Sequence, residues 1–211
     1  MNRLQTELQR LYPPPEAGRT RAMVLELARP ASWELLAKVW QGVQGDLEMP
    51  APAIAVSGRD AYQLWFSLSE PVSAAEANAF LQTLCQRYLG EVAPERIKLN
   101  PPVAPPPVEA APGHWSAFLS PDLAALFVEE PWLDLPPSPE AQAELLSRLG
   151  SAKAADLQRA LTRPAPAPAA AQNLDPRSFL LQVMNDRTTE LHLRIEAAKA
   201  LLPWFEGRRP Q

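Results

Sequence analysis

Glu26, Ser57, Arg59, Gln63, Trp65 and Lys98 are the residues whose types and spacing can act together. Side chains alternate across a strand, so residues two apart share a face. If Met23, Leu25 and Leu27 face a core, Glu26 faces the other way. If Leu64, Phe66 and Leu68 face that same core, Gln63, Trp65 and Ser67 share the face of Glu26. Ser57 and Arg59 then stand at its rim, and Lys98 joins from a later strand. An acid, an arginine, an aromatic ring and small polar groups on one sheet face form a nucleotide-binding surface. Arg59 suits a phosphate because charged N–H donors bind its oxygens strongly. A base stacked on Trp65 would contribute about 1–3 kcal/mol. The other arrangement for Trp65 is burial beneath the aromatic segment of Trp115, Phe118 and Phe127, which needs a packing partner of its own.

Other chemistries lack their residues. The sequence has no Gly-rich phosphate loop, no CxxC pair and no HExxH. His114 and His192 lie far apart, and neither has metal-ligand spacing to a second His or Cys. No nucleophile has a recognisable set of partners. His192 reads as a solvated residue of a polar helix, and His114 as a packing or turn residue beside Trp115. The single cysteine, Cys85, lies in an apolar helical stretch and reads as a buried thiol.

Periodicity predicts the strands and helices that carry the candidate residues. Residues 1–12 predict an amphipathic helix with Leu4, Leu8 and Leu11 on one face, ended by Pro13, Pro14 and Pro15. Residues 21–28 predict a strand. Ser32 is an N-cap for a helix striped with Trp33, Leu36, Val39 and Trp40. Residues 53–57 and 61–69 predict a β-hairpin around the turn Ser57-Gly58-Arg59-Asp60, with Pro71 expected to stop its second strand. Ser73 and Glu76 form a capping box for the next helix, which Gly90 closes. Residues 96–99 supply a fourth strand. The order β-α-β-β-α-β predicts an α+β fold, a ferredoxin-like or RRM-type antiparallel sheet with helices on one face, followed by a helical C-terminal region.

The expected organisation is a core over 1–100 and a proline-rich spacer over 101–112. An aromatic and helical extension over 113–162 then packs on the core, with short helices at 138–150 and 152–161. A Pro/Ala linker over 163–173 leads to a helical hairpin over 174–205. The chain holds 25 prolines against 8 glycines, which favours stiff connectors. Its net charge of −4 argues against duplex binding mainly through phosphates. Arg208 and Arg209 read as a solubilising tail. The polar start and the lack of a long apolar run predict a cytoplasmic protein with no membrane partner.

The run Ser57-Gly58-Arg59-Asp60-Ala61-Tyr62-Gln63-Leu64-Trp65-Phe66, followed by Ser69-Glu70-Pro71-Val72, resembles the hairpin of the archaeo-eukaryotic primase superfamily, closest to plasmid and phage primases. The resemblance covers residues 20–100. It implies a nucleotidyl-transfer fold in which two or three acids hold divalent metals and a histidine stands on the hairpin. Here the first strand offers only Glu26, and Gln63 stands at the histidine position. Glutamine carries no positive charge, and one carboxylate is a poor two-metal site. The resemblance therefore implies a degenerate, catalytically inactive copy that needs no cofactor.

Residues 175–186 and 193–203 resemble a segment of phage terminase small-subunit-like proteins, against the alternative of a generic helical hairpin. Together the two resemblances imply an accessory protein of mobile-element DNA metabolism. It would bind single-stranded or primer-template nucleic acid through Arg59, Gln63, Trp65, Ser57 and Lys98, and a protein partner through 174–205. Two other readings stand beside it. One is an active primase using Glu26, with a divalent metal and further acids such as Asp60 or Glu70. The other is a protein-interaction adaptor with no nucleic-acid role.

Overall fold

A strand that is apolar on one side and mixed on the other needs two different covers, and β1 (Arg19–Ala28) is such a strand. The computed structural model describes residues 2–163, with Leu180, Met184, His192, 194–196 and 198–200 beyond them. The chain divides into two units, Met1–Arg163 and Pro164–Gln211. In the second unit every described residue is helical. The expected linker over 163–173, the remainder of the hairpin over 174–205 and the Arg208–Arg209 tail lie outside the described residues.

In the first unit β1 pairs antiparallel with β3 (Ala61–Ser73) and with β4 (Ile97–Leu99). β2 (Ala53–Val56) pairs antiparallel with β3, through the expected hairpin. The sheet is five-stranded with order β4-β1-β3-β2-β7. Its first four members have the split β-α-β arrangement that the element order predicts, and the fold is α+β. β5 (Glu109–Ala111) and β6 (His114–Trp115) form a separate two-stranded ribbon. β7 (Ala117–Leu119) extends the main sheet beyond β2, so the 113–162 extension is part of the same unit as the core.

One sheet face carries the main core. Met23, Leu25, Leu27, Leu64, Phe66 and Leu68 are buried there against α2 (Trp33–Gly45) and α3 (Ala74–Tyr88). Ser32 caps α2 through the amide of Leu35, and the Ser73–Glu76 capping box opens α3. Reciprocal bonds to the cap hold the Glu76 carboxyl below the usual carboxylate range. Cys85 is half-buried on α3, and burial pushes its thiol up to about 11, so it is no thiolate at neutral pH. α6 (Ala154–Thr162) closes this layer with Leu157 and Ala160.

Two expectations need correction. β3 does not stop before Pro71 but continues to Ser73. After a bulge between Thr20 and Ala22, Arg19 and Thr20 pair with Ser73 and Val72, and proline is tolerated where the ladder is irregular. Nor are the helices confined to one face, which would leave the second open. α1 (Arg3–Leu11) and α5 (Pro139–Ser147) pack together over half of it, burying Leu4, Leu11, Val24, Ala53, Trp65, Phe118 and Leu146 in a second core. Arg10 ties the two helices by donating to the carbonyls of Leu146 (2.9 Å) and Leu149 (3.1 Å).

β7 would leave an exposed pairing edge, a liability that proteins cover. Here the buried side-chain amide of Gln142 imitates a strand. Its Oε1 accepts from the Phe118 N–H (2.8 Å) and its Nε2 donates to the Phe118 carbonyl (3.0 Å). Replacing Gln142 with Ala strands both groups, so urea unfolding should show a loss of about 1–3 kcal/mol. A loss below about 0.5 kcal/mol, the scale of an ordinary surface substitution, would mean that the edge is satisfied otherwise.

Candidate functional site

Lys98, Glu26 and Gln63 stand directly opposite one another on β4, β1 and β3. Directly opposed cross-strand residues are near enough for their side chains to interact. Lys98 Nζ donates to Glu26 Oε1 at 2.7 Å, and Gln63 Nε2 donates to Glu26 Oε2 at 2.7 Å. Trp65 Nε1 donates to Gln63 Oε1 at 2.9 Å, which fixes the orientation of the amide. Glu26 and Gln63 are buried, whereas the Lys98 side chain keeps 53% of its exposure. The row is therefore closed at the tryptophan and open at the lysine.

The open end lies in a cavity of about 730 Å³. One wall is the β2–β3 hairpin. Ser57 Oγ accepts from the amides of Arg59 (3.2 Å) and Ala61 (3.1 Å), so this serine shapes the turn. Gly58 has φ +77° and donates to the Pro131 carbonyl at 3.0 Å. A Cβ there would lie 2.8 Å from the Ser116 amide nitrogen and 2.8 Å from Ala110 Cβ. Arg59 Nε donates to the Ala110 carbonyl (2.9 Å), and among the described residues no carboxylate pairs with its guanidinium. Arg29 and Asp60 form an exposed ion pair at the mouth (2.8 Å).

The opposite wall comes from the stretch that reads as a spacer. Pro101, Pro102, Val103 and Ala104 line the cavity, as do Val108, Ala110 and Ser116. His114 stacks on Trp132 with ring centroids 4.4 Å apart and planes 9° apart, and both line the same space. The residues singled out from sequence thus separate. Glu26, Ser57, Arg59, Gln63 and Lys98 meet at the cavity, and Trp65 does not line it.

Trp65 as a stacking platform is a correction. It is 3% exposed, with its ring edge-on to Tyr12 (5.3 Å) and Phe118 (6.2 Å). Phe118 covers it as the alternative arrangement expected, but the other cover is Tyr12, while Phe127 packs against the main core. The aromatic ring that does line the cavity is Trp132. Sequence reasoning missed Arg29, Trp132 and the proline wall. Only Arg29 carried a signal, three residues after Glu26 and just past the end of β1. The proline wall has no periodicity to read.

The residues present do not fit a divalent metal. Both oxygens of Glu26 are engaged by Lys98 and Gln63, and Asp60 is held by Arg29. Glu70 does not line the cavity, and among the described residues no cluster of His, Cys, Asp and Glu could hold an ion. In comparisons with known proteins, no family model matches this chain and no curated protein matches it. No described helix is long and apolar enough to cross a membrane.

The hairpin and the wall depend on each other at Gly58. Gly58→Ala forces a side chain into a left-handed conformation and against the Ser116 backbone. Thermal unfolding should show a loss of at least about 1 kcal/mol, and wild-type stability would contradict the packing described. Lys98→Met leaves the buried Glu26 carboxylate with only the Gln63 bond. Because the lysine is half-exposed, the expected loss is about 1–2 kcal/mol, below that of a fully buried pair. Glu26→Gln combined with Lys98→Met should recover part of it in the same assay.

Proposed function

We propose that this chain is a non-polymerising accessory protein of phage or plasmid DNA metabolism, built on a degenerate primase-like domain, that takes a phosphate-bearing nucleic-acid strand into the cavity beside Glu26. The observation that carries the reading is the commitment of Glu26 to Lys98 and Gln63 next to an arginine with no carboxylate partner among the described residues. Arg59 is the phosphate contact, with the Arg29–Asp60 pair at the mouth. A guanidinium with N–H groups to spare binds phosphate oxygens as a fork. The His114–Trp132 stack offers the apolar wall for a base. A cavity of about 730 Å³ admits one nucleotide unit and leaves the rest of the strand outside.

The test is fluorescence polarisation with a labelled single-stranded oligonucleotide at low salt. Arg59→Ala should weaken binding and lower the slope of log K against log salt by about one phosphate contact. No binding, or binding unchanged by Arg59→Ala, removes the nucleic-acid role.

A second reading rests on Glu26 and Asp60 both lining the cavity, and it requires them to exchange Lys98, Gln63 and Arg29 for a metal. It makes the chain an active nucleotidyl transferase. Primer synthesis supplied with manganese, and abolished by Glu26→Ala, would establish that reading in place of the first.

A further inference from the structure

On the 121–135 segment, apolar side chains are exposed where the backbone is firmly held. Leu126 and Leu135 are each 75% exposed, and Leu123 and Val128 are also exposed. The backbone beneath them is fixed at several points. Tyr62, buried in the main core, donates from its hydroxyl to the Ala124 carbonyl at 2.5 Å. Leu133 and Trp115 exchange two backbone hydrogen bonds, of 2.8 and 3.0 Å. Pro131 is buried and accepts the Gly58 amide. Leucines left in water on an anchored segment mark an interaction surface, because a monomer gains nothing by presenting them together.

Leu126, Phe127, Leu133 and Leu135 line a hollow of about 380 Å³, with Glu130 and Asp134 also on its wall. No lysine or arginine occurs between Lys98 and Arg148, whereas that stretch holds Glu109, Asp122, Glu129, Glu130, Asp134, Glu140 and Glu144. On the adjoining hollow beside Val128, Lys38 and Glu34 offset each other. We propose that the Leu126–Leu135 hollow docks a basic amphipathic segment of a partner protein, with apolar side chains seated among the leucines and cations against Glu130 and Asp134.

Charge selects this occupant over the others. A nucleic-acid strand would bring phosphates to an acidic surface and be repelled. A second copy joined about a two-fold axis would bring the same acidic rim against itself. A cationic helix with one apolar face matches both the floor and the rim, the mode in which apolar anchors enter a groove and charges set the register.

The test uses a labelled synthetic helical peptide with leucines along one face and lysines and arginines on the other, titrated into the full chain. A control peptide of the same composition has its leucines scattered around the helix. The amphipathic peptide should bind saturably and the control weakly. Leu126→Ser with Leu135→Ser should weaken binding by about tenfold or more, and Glu130→Lys with Asp134→Lys should do likewise. All four positions are exposed, so thermal unfolding should stay at wild-type values for both variants, and oligonucleotide binding should stay at the wild-type value for the uncharged Leu126→Ser, Leu135→Ser variant. Absence of saturable binding, or equal affinity in wild type and both variants, overturns the proposal. Self-association that disappears with Leu126→Ser and Leu135→Ser also overturns it and assigns the hollow to a second copy.

Discussion

A carboxylate out of water must be neutralised, and the second sheet face is organised around that demand at Glu26. Moving an ion from water into a protein interior costs several kcal/mol unless charge and hydrogen bonds replace the solvent. Lys98 supplies the charge and Gln63 the second hydrogen bond, each from the residue directly opposite on a neighbouring strand. Register is therefore the underlying constraint. A slip of one residue in β3 would place an apolar side chain against Glu26 and put Gln63 into the main core.

The same face changes character within one step along β3. Gln63 is polar and borders a cavity, whereas Trp65 lies in an apolar core under α1 and α5. The indole joins the two because its ring is buried while its N–H reaches back to the Gln63 amide. Tyr12 and Phe118 hold that ring, and burial raises the Tyr12 hydroxyl well above the usual phenol range. Ser67 donates to the Leu11 carbonyl and so pins the end of α1 to β3. Helix, tryptophan, glutamine and glutamate thus form one chain of contacts from the closed half of the face to the open half.

Period-two alternation made much of this legible in the sequence. It placed Met23, Leu25 and Leu27 against the helices and Glu26 on the other side, with Gln63 and Trp65 sharing that side. Hairpin and capping chemistry located Ser57–Asp60 and the start of α3, because those signals are local. Long-range packing was not legible. The apolar stripe of α1 announced a helix but not that it would lie over Trp65, since several surfaces could accept three leucines. The prolines of 101–107 read as a spacer because extended, aperiodic chain looks alike whether it crosses solvent or lines a wall. The edge cap by Gln142 had no signal either, since one glutamine on a short helix resembles any other.

Glu26 stands in the cavity wall as an ion-paired support, with both carboxylate oxygens taken by Lys98 and Gln63 and none left for a metal. The most direct measurement is manganese titration followed by electron paramagnetic resonance, on wild type and Glu26→Gln, each with and without a single-stranded oligonucleotide. No saturable manganese binding that depends on Glu26 is expected in either condition. A bound ion present in wild type and lost in Glu26→Gln would contradict this, because the carboxylate would then have exchanged Lys98 and Gln63 for a metal.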